Sequence, residues 1–318
     1  MHISVAMCTY NGARFLREQL ASIAVQNLQP DELVVCDDGS SDETTEIIRN
    51  FAQSVNFSVR LVVNERNLGP ARNFEEAIRL CEGDLIALSD QDDNWYPEKL
   101  LRLSSILDED ETLGGVFSDG HLMDENSERS HTRLWDRVRY RPPDRALHVE
   151  ESLARRLLKG FVVTGATLMI RKWVRDFVPP APEGWMHDAW IAWMLVLYSG
   201  IAAVDEPLIA YRIHGAQHLG LAPRSLAARI DNARHSKQEN RLLEAGLFKE
   251  LLAHWIEHPG RQFEERRTEM QQKIGFLDFQ LNLPGNFLKR LYRVAPAYDR
   301  YRLYANGFTT MWKDILFH

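Results

Sequence analysis

The chain has 318 residues, a formal net charge of −7 and 45% hydrophobic residues. This length fits one large domain or two ordinary ones, and the composition excludes a disordered, collagen-like or coiled-coil protein. Its three cysteines form no CxxC pair, which favours a reducing compartment over a disulfide framework. The first residues lack a basic segment, so we expect no signal peptide and a cytoplasmic protein. The longest uncharged stretch, residues 189–204, is shorter than the roughly 20 residues of a transmembrane helix.

The charge is distributed unevenly along the chain. Residues 1–219 contain 22 Lys or Arg and 34 Asp or Glu, whereas residues 220–318 contain 16 and 11. An acidic N-terminal part argues against nucleic acid as a partner, because phosphate contacts need clustered Lys and Arg. The same boundary separates two predicted domains, an α/β domain at 1–219 and a helical region at 220–318.

Strands and helices alternate through the first 120 residues. The apolar pattern predicts strands at 3–7, 32–36, 59–63, 84–88 and 115–118. Helices are predicted between them at 13–27, 42–51, 70–81 and 97–107. This alternation predicts right-handed crossovers and a Rossmann-like, mostly parallel sheet with helices on both faces.

The periodicity weakens after this point and then returns. Residues 119–148 show little pattern and predict a loop over the sheet. Strand character is present at 161–163 and 166–170, a helix is predicted at 188–198, and a strand follows at 201–211. After Gly220 the pattern predicts helices only.

Polar segments follow three of the predicted strands. They are Thr-Tyr-Asn-Gly at 9–12, Asp-Asp-Gly-Ser-Ser-Asp at 37–42, and Ser-Asp-Gln-Asp-Asp-Asn at 89–94. Ligands of open parallel sheets bind beyond the carboxyl ends of the strands, so we expect these segments to converge on one crevice.

The carboxylates Asp90, Asp92 and Asp93 indicate a metal site. Three carboxylates in four residues repel one another, and a divalent cation with oxygen ligands would relieve that repulsion. The segment 37–42 has a second interpretation as a turn with Ser41 or Asp42 capping a helix. An Asp-x-Asp pattern is common by itself, and its position after a buried strand is what favours the metal.

Several motifs of other enzyme classes are absent from the sequence. The first turn lacks G-x-G-x-x-G, which argues against NAD or FAD. The chain also lacks a P-loop and the G-x-S-x-G nucleophile elbow, which argues against those ATPase and hydrolase classes.

Four ordered motifs give the sequence a resemblance to a known family. They are VAMCTYNG at 5–12, VVCDDGSSD at 34–42, NLGPARN at 67–73 and LSDQDD at 88–93. Together they resemble the family 2 glycosyltransferases, which have the GT-A fold and invert the configuration of the transferred sugar; the resemblance covers residues 1 to about 215. The segments TGAT at 164–167 and PLIAYRIHG at 207–215 are similar to bacterial rhamnosyltransferase-like enzymes that assemble surface polysaccharides such as O-antigen and capsule.

The resemblance implies a role for individual residues. Implied to bind the nucleotide sugar are Thr9, Tyr10, Asn11, Asp38, Arg72, Asp90, Asp93 and Arg212. Asp90 and Asp92 would bind Mg²⁺ or Mn²⁺, with His214 as a third ligand or a diphosphate contact. A loop histidine satisfied by a backbone carbonyl is the other interpretation of His214. Asp188 is the implied catalytic base, and His187 before it departs from the Glu that often precedes the base in the family.

The implied reaction is an inverting, metal-dependent transfer of a sugar from a nucleotide sugar, dTDP-rhamnose or a UDP-sugar, to a hydroxyl group. The acceptor would be a glycan or a lipid-linked oligosaccharide. A nucleotidyltransferase, a metal-dependent phosphohydrolase and a non-catalytic sugar-nucleotide-binding protein are the alternatives.

The C-terminal segment 284–318 combines eight aromatic residues with six Lys or Arg and two Asp or Glu. An apolar helix face is predicted from Tyr301, Tyr304, Phe308, Met311, Trp312 and Ile315. This face either packs on the catalytic domain or lies on an anionic membrane, and the tail could also pair with a second copy. The resemblance favours a place at the cytoplasmic face of a membrane.

Overall fold

The computed structural model describes residues 1–142, 148–215, 226–260 and 263–316. The chain divides into two compact units. The sheet unit comprises Met1–Leu153, Val162–Ala181 and Trp185–Ala222, and the helical unit comprises Ala154–Phe161, Pro182–Gly184 and Pro223–His318. The helical unit thus takes in two short segments that the sequence assigned to the first domain. The predicted boundary at residue 219 lies outside the described residues.

Among its described residues, the sheet unit has nine strands with helices between them. The strands are β1 (Ile3–Thr9), β2 (Glu32–Asp37), β3 (Ser58–Val63), β4 (Leu85–Ser89), β5 (Asn94–Trp95), β6 (Leu113–Met123), β7 (Arg129–Arg133), β8 (Leu168–Arg171) and β9 (Gly200–Arg212). The helices are α1 (Ala13–Ala24), α2 (Thr44–Ala52), α3 (Pro70–Leu80), α4 (Lys99–Glu109), α5 (Leu134–Val138), α6 (Glu150–Leu157), α7 (Lys172–Phe177) and α8 (His187–Tyr198). Helix α6 belongs in part to each unit.

The first four strands form the predicted parallel core of the sheet. The strand order is β3-β2-β1-β4-β8-β6-β9-β5, with β7 paired to β6. All residues of β1 and β4 are buried, as expected of apolar strands covered on both faces. With right-handed crossovers, the order 3-2-1-4 places α1 and α2 on one face and α3 on the other. The carboxyl ends of β1, β2 and β4 consequently lie side by side at one edge.

The middle of the chain differs from the sequence pattern in two places. The segment 119–148 contains more than a loop: β6 runs on to Met123 and turns back into β7. Its periodicity is hidden because β6 buries a charged residue, Asp119, which accepts hydrogen bonds from the backbone N–H groups of Gly120 and Trp135. Residues 161–163 form no strand although Val162 and Val163 are buried, so their apolar pattern indicated burial and not pairing.

The sheet is mixed because β8 enters its centre in the opposite direction. This strand pairs antiparallel with β4 on one side and with β6 on the other. The turn before β8, a 3₁₀ helix at Gly165–Thr167, therefore lies at the carboxyl end of β4. This reversal brings the 164–167 motif to the same edge as the acidic segment after β4.

The helical unit contains five α-helices among its described residues. They are α9 (Leu226–Glu257), α10 (Phe263–Leu281), α11 (Phe287–Val294), α12 (Tyr298–Tyr304) and α13 (Phe308–Leu316). Across the described residues of the whole chain, no helix is both long enough and apolar enough to cross a membrane.

The predicted continuous C-terminal face is divided between two helices. Gly307, with φ +55°, ends α12 by donating its N–H to the carbonyl of Tyr301. Four members of the face are buried within the helical unit: Tyr301, Tyr304, Met311 and Ile315. The other two, Phe308 and Trp312, are exposed. Phe317, another aromatic residue of this segment, lies outside the described residues.

A buried carboxylate holds these C-terminal helices together. Asp314 on α13 accepts hydrogen bonds from Gln280 Nε2 at 2.7 Å and from the Tyr301 hydroxyl at 2.8 Å, and it pairs with Arg241. A buried charge is tolerated only when its hydrogen bonds are satisfied.

We expect Tyr301→Phe to destabilise the protein by about 1–3 kcal/mol, because the buried Asp314 carboxylate loses a donor and keeps its desolvation cost. Tyr298→Phe, at a partly exposed tyrosine of the same helix, is the matched control. Urea unfolding measures both variants. Equal stability of the two would contradict the role given to the Tyr301 hydroxyl.

Candidate active site

The acidic loop, residues 90–93 after β4, is fixed to the loop after β1. Gln91 Oε1 accepts a hydrogen bond from the Tyr10 N–H at 2.8 Å, and Gln91 Nε2 donates to the Tyr10 carbonyl at 3.2 Å. The Tyr10 side chain itself is exposed. The convergence predicted for these two loops is therefore present in the structure.

The loop after β1 is also joined to the loop after β2. Thr9 Oγ1 donates to Asp37 at 2.8 Å, and both side chains are buried. Asn11, held at φ +47°, accepts a hydrogen bond from the Ser41 N–H at 2.9 Å. Asn adopts this left-handed conformation more readily than most residues, so the sequence suits the turn. Asp42, one of the two predicted caps, accepts the N–H of Thr44 at the start of α2.

Asp38 organises the segment that leads into α3. Its buried carboxylate accepts hydrogen bonds from the N–H groups of Leu68 at 2.8 Å and Gly69 at 2.9 Å, and from Asn64 Nδ2 at 2.9 Å. Arg72 lies in the first turn of α3 and pairs with Glu75 at 2.7 Å. The donor contacts implied for Asp38 and Arg72 stay predictions.

Arg212 is the main anchor of the acidic loop. Its side chain is fully buried, with Nε donating to the Asp92 carbonyl at 2.6 Å and Nη2 to Glu18 at 2.7 Å. Its backbone N–H donates to Asp93 Oδ1 at 3.0 Å. In this structure Arg212 positions the loop from within the protein, and its implied contact with the donor stays a prediction.

The acidic loop brings several carboxylates together in a part of the protein where burial disfavours their charged form. Burial, followed by repulsion from Asp92 and Asp188, raises the pKa of Asp90 to about 8. Burial, followed by repulsion from Asp92 and Asp90, also raises the pKa of Asp93. Asp93 Oδ2 is buried without a hydrogen-bond partner in the described part of the chain.

Lys99 partly offsets this charge, and sequence reasoning missed it. Its side chain is fully buried, Nζ donates to the Ala166 carbonyl at 2.6 Å, and the ammonium lies 3.4 Å from the centre of the Trp95 ring. Burial lowers the pKa of Lys99, whereas Asp93 and Asp90 act in the opposite direction. A signal was present, because Lys99 lies one helical turn before Leu103 on the apolar face of α4.

The oxygen-rich donor set suits Mg²⁺ or Mn²⁺, and the unpartnered Asp93 oxygen could accept such a cation. His214 Nε2 lies 2.8 Å from Asp92 Oδ2, its hydrogen-bond partner in this structure. The ligand roles implied for Asp90, Asp92 and His214 stay predictions. Among the residues that the structure describes, no three His, Cys, Asp or Glu side chains are grouped to hold an ion.

Asp188 lies in the first turn of α8, beside the turn that precedes β8. Its Oδ2 accepts the Gly165 N–H at 3.1 Å, and its Oδ1 accepts the Ala189 N–H at 2.7 Å. The Gly165 turn lies at the carboxyl end of β4, and the negative charge of Asp188 adds to the burial that raises the pKa of Asp90. Asp188 is thus near the acidic loop, and its implied role as the base stays a prediction.

His187 fills the space behind Asp188. Its ring stacks on Phe74 at a centroid distance of 3.9 Å, and neither ring nitrogen has a hydrogen-bond partner among the described residues. A Cβ atom at Gly165 would lie 2.7 Å from His187 Nε2. The glycine therefore permits the close approach of the turn to His187 and Asp188.

Sequence comparison now places the chain in a family. The Glycosyl transferase family 2 profile matches residues 4–177, more than half of the chain. The chain belongs to this family, which confirms the resemblance of the four motifs.

The related proteins share part of their length with this chain. An uncharacterised glycosyltransferase from Nostoc sp. is 26% identical over 225 residues, covering 69% of this chain and 66% of that protein. The Escherichia coli enzyme UDP-Glc:alpha-D-GlcNAc-diphosphoundecaprenol beta-1,3-glucosyltransferase WfgD is 29% identical over 126 residues, covering 39% of this chain and 48% of that enzyme. The chain thus aligns with about two thirds or less of the length of these relatives.

Solved structures confirm the predicted fold class. Staphylococcus aureus TarS 1–349 in complex with UDP-GlcNAc has a TM-score of 0.64 at 17% identity, covering 99% of this chain and 88% of that one. A mannosyltransferase from Pyrobaculum calidifontis in complex with GDP-Man and Mn²⁺ has a TM-score of 0.55 at 18% identity, covering 93% of this chain and 74% of that one. These likenesses show the GT-A fold.

We expect Gly165→Ala to impair the site, because the new methyl group would displace His187 and with it Asp188. The variant should lose about 1–3 kcal/mol of stability through overpacking. Gly246→Ala is the matched control: it lies in the exposed part of α9 with open space around its Cα, and it should be neutral or stabilising. Thermal unfolding of both variants measures the difference, and equal melting temperatures would show that Gly165 is dispensable.

We expect Asp90→Asn to stabilise the metal-free protein increasingly as the pH rises. Asp90 ionises near pH 4 in the unfolded chain and near pH 8 in the folded protein. Protonated Asp90 makes its full contribution to the free energy of unfolding below about pH 4, and this contribution is lost as the pH rises to 8. Asparagine cannot ionise and avoids this loss.

Melting curves in a chelator should therefore show a gain of about 2–5 °C for Asp90→Asn at pH 8.5 and a smaller gain at pH 5. Asp108→Asn, at an exposed position, is the control and should show no such trend. A gain at pH 5 as large as that at pH 8.5 would refute the ionisation argument.

Proposed function

We propose that this protein is an inverting glycosyltransferase that moves a sugar from a nucleoside diphosphate to a hydroxyl group of an acceptor. The observation that carries the proposal is the meeting of a desolvated acidic loop with Asp188 at one edge of the sheet. Membership of the family supports the same activity. The transfer needs a site for the diphosphate and a base for the acceptor, and this edge offers both.

The donor that we propose is a UDP-sugar, with dTDP-rhamnose as the second candidate. The E. coli relative is named for UDP-Glc, and TarS was solved with UDP-GlcNAc. The exposed ring of Tyr10 supports the proposal, because an aromatic face suits stacking on a base. Thr9, Asn11, Asp38 and Arg72 would complete the nucleoside-binding set.

Asp90 and Asp92 would hold Mg²⁺ or Mn²⁺, with Asp93 either a further ligand or a partner of the donor sugar. When bound, the ion supplies neutralising charge for the diphosphate oxygens of the leaving group. Arg212 holds the acidic loop through its hydrogen bond to the Asp92 carbonyl, and the charge of Lys99 offsets part of the charge of Asp93 and Asp90. His214 keeps Asp92 oriented and is the candidate for a third ligand or a diphosphate contact.

Asp188 would act as the general base. Its carboxylate removes the proton from the acceptor hydroxyl while the oxygen attacks the anomeric carbon opposite the diphosphate. The C–O bond to the diphosphate breaks as the new glycosidic bond forms, so the configuration inverts in one step. The Gly165 N–H fixes one carboxylate oxygen, which orients the group for this transfer.

For the acceptor we propose a glycan or a lipid-linked oligosaccharide of bacterial surface-polysaccharide assembly. The name of the E. coli relative gives a diphosphoundecaprenol acceptor, which supports a lipid-linked substrate. The rhamnosyltransferase-like motifs at 164–167 and 207–215 support the same setting. Such acceptors place the enzyme in the cytoplasm at the inner face of the membrane.

The test is to incubate the chain with UDP- and dTDP-sugars, Mn²⁺ and lipid-linked acceptors, and to measure product and released nucleotide. Asp188→Asn should lower transfer about 10²- to 10⁴-fold, because the base is lost. Its affinity for the donor, measured by calorimetry, should stay unchanged. Asp108→Asn is the exposed control and should transfer at the wild-type rate.

Three outcomes would contradict the proposal or part of it. Nucleotide release at the same rate with and without acceptor would indicate a hydrolase. Transfer by Asp188→Asn at the wild-type rate would remove Asp188 from the role of base, and donor binding without any turnover would favour a binding protein.

A further inference from the structure

Helices α11 and α13 expose apolar side chains that a folded surface ordinarily covers. The exposed fractions are 71% for Leu288, 86% for Tyr292, 59% for Phe308, 38% for Trp312 and 50% for Leu316. We call these five residues the α11–α13 patch. Leu288 and Tyr292 are four residues apart on α11, and the other three repeat every fourth residue on α13, so each set forms one stripe of its helix.

The opposite sides of both helices are already packed. Val294 on α11 and Met311 and Ile315 on α13 are buried. The buried Arg290 joins the two helices, because its Nε donates to the Ile315 carbonyl at 3.1 Å. The patch is therefore a second apolar face that remains after the helical unit has formed its core, and it differs from the single face predicted from the sequence.

The exposed charged residues of α11 and α13 all have the same sign. Lys289 and Arg293 are exposed on α11, which contains no acidic residue, and Lys313 is exposed on α13. The only acidic residue of α13, Asp314, is buried in the network around Arg241. Each stripe thus has basic residues along its border.

The combination of exposed apolar stripes and neighbouring cations favours one kind of binding partner. An identical copy placed on the patch by a two-fold axis would bring the same cations together and would be repelled. An anionic bilayer would pair with the cations at headgroup level and receive the apolar stripes below them. Tyr and Trp are the residues that favour this interface, because their rings have an apolar body and a polar edge.

We propose that the α11–α13 patch binds the surface of a bilayer containing anionic phospholipids. Tyr292, Phe308 and Trp312 enter the boundary between headgroups and acyl chains, and Lys289, Arg293 and Lys313 contact the headgroup phosphates. The proposal goes beyond the transferase reaction, since it requires neither a donor nor an acceptor.

The test is co-sedimentation of the full chain with vesicles of phosphatidylcholine, with and without 30 mol% phosphatidylglycerol, which is about the level that gives a strongly anionic surface. We expect binding at least about tenfold tighter with the anionic lipid, weakening as NaCl is raised. The double variant Tyr292→Ser with Trp312→Ser should bind about tenfold more weakly, and Lys289→Glu with Lys313→Glu should lose the preference for anionic lipid. Trp173→Ser is the matched control, because Trp173 is similarly exposed in the sheet unit.

Melting curves verify that each variant is folded. Equal binding by the wild type and the Tyr292/Trp312 variant, or no binding by the wild type, would overturn the proposal. So would a dimer of the wild type that this double variant dissociates, because the patch would then be a contact between copies. If the wild type transfers sugar to a soluble acceptor but does not bind vesicles, the membrane proposal fails and the proposed function stands.

Discussion

The candidate site depends on how this protein keeps several carboxylates together away from water. Asp90, Asp92 and Asp93 are in one loop, and Asp188 is close enough to raise the pKa of Asp90. Two buried cations, Arg212 and Lys99, reduce the cost of keeping these carboxylates together, each in a different way. Arg212 donates a hydrogen bond to the Asp92 carbonyl, whereas Lys99 acts on Asp93 and Asp90 through its positive charge. The remaining negative charge is what a bound cation would neutralise.

Arg212 and Lys99 also connect elements of the sheet unit that are distant in sequence. Arg212 ends β9 and reaches the loop after β4, and Lys99 begins α4 and reaches the turn before β8. The loop after β4 is therefore tied to β9, and the turn before β8 is tied to α4. Removing either cation would leave buried carboxylates with fewer partners, so stability and site geometry depend on the same contacts.

Much of this architecture could be predicted from the sequence, because local patterns report local structure. The parallel β1–β4 core and the meeting of the 9–12 and 90–93 loops at the carboxyl ends of its strands followed from alternation and strand polarity. The family and the GT-A fold followed from four ordered motifs and are confirmed. The antiparallel entry of β8 and the burial of Asp119 in β6 were not predictable, since both depend on partners distant in sequence. Lys99 was missed because a lysine in the first turn of a helix is typical of a solvated position.

The central position of β8 affects how the sheet folds while the chain is being synthesised. Residues 85–89 and 113–123 are made early, yet the strand that separates them in the sheet is completed only at Arg171. Until then one edge of β4 lacks its partner strand, and an unpaired strand edge can associate with other chains. A nascent chain that has not reached Arg171 therefore exposes an edge that the finished sheet covers.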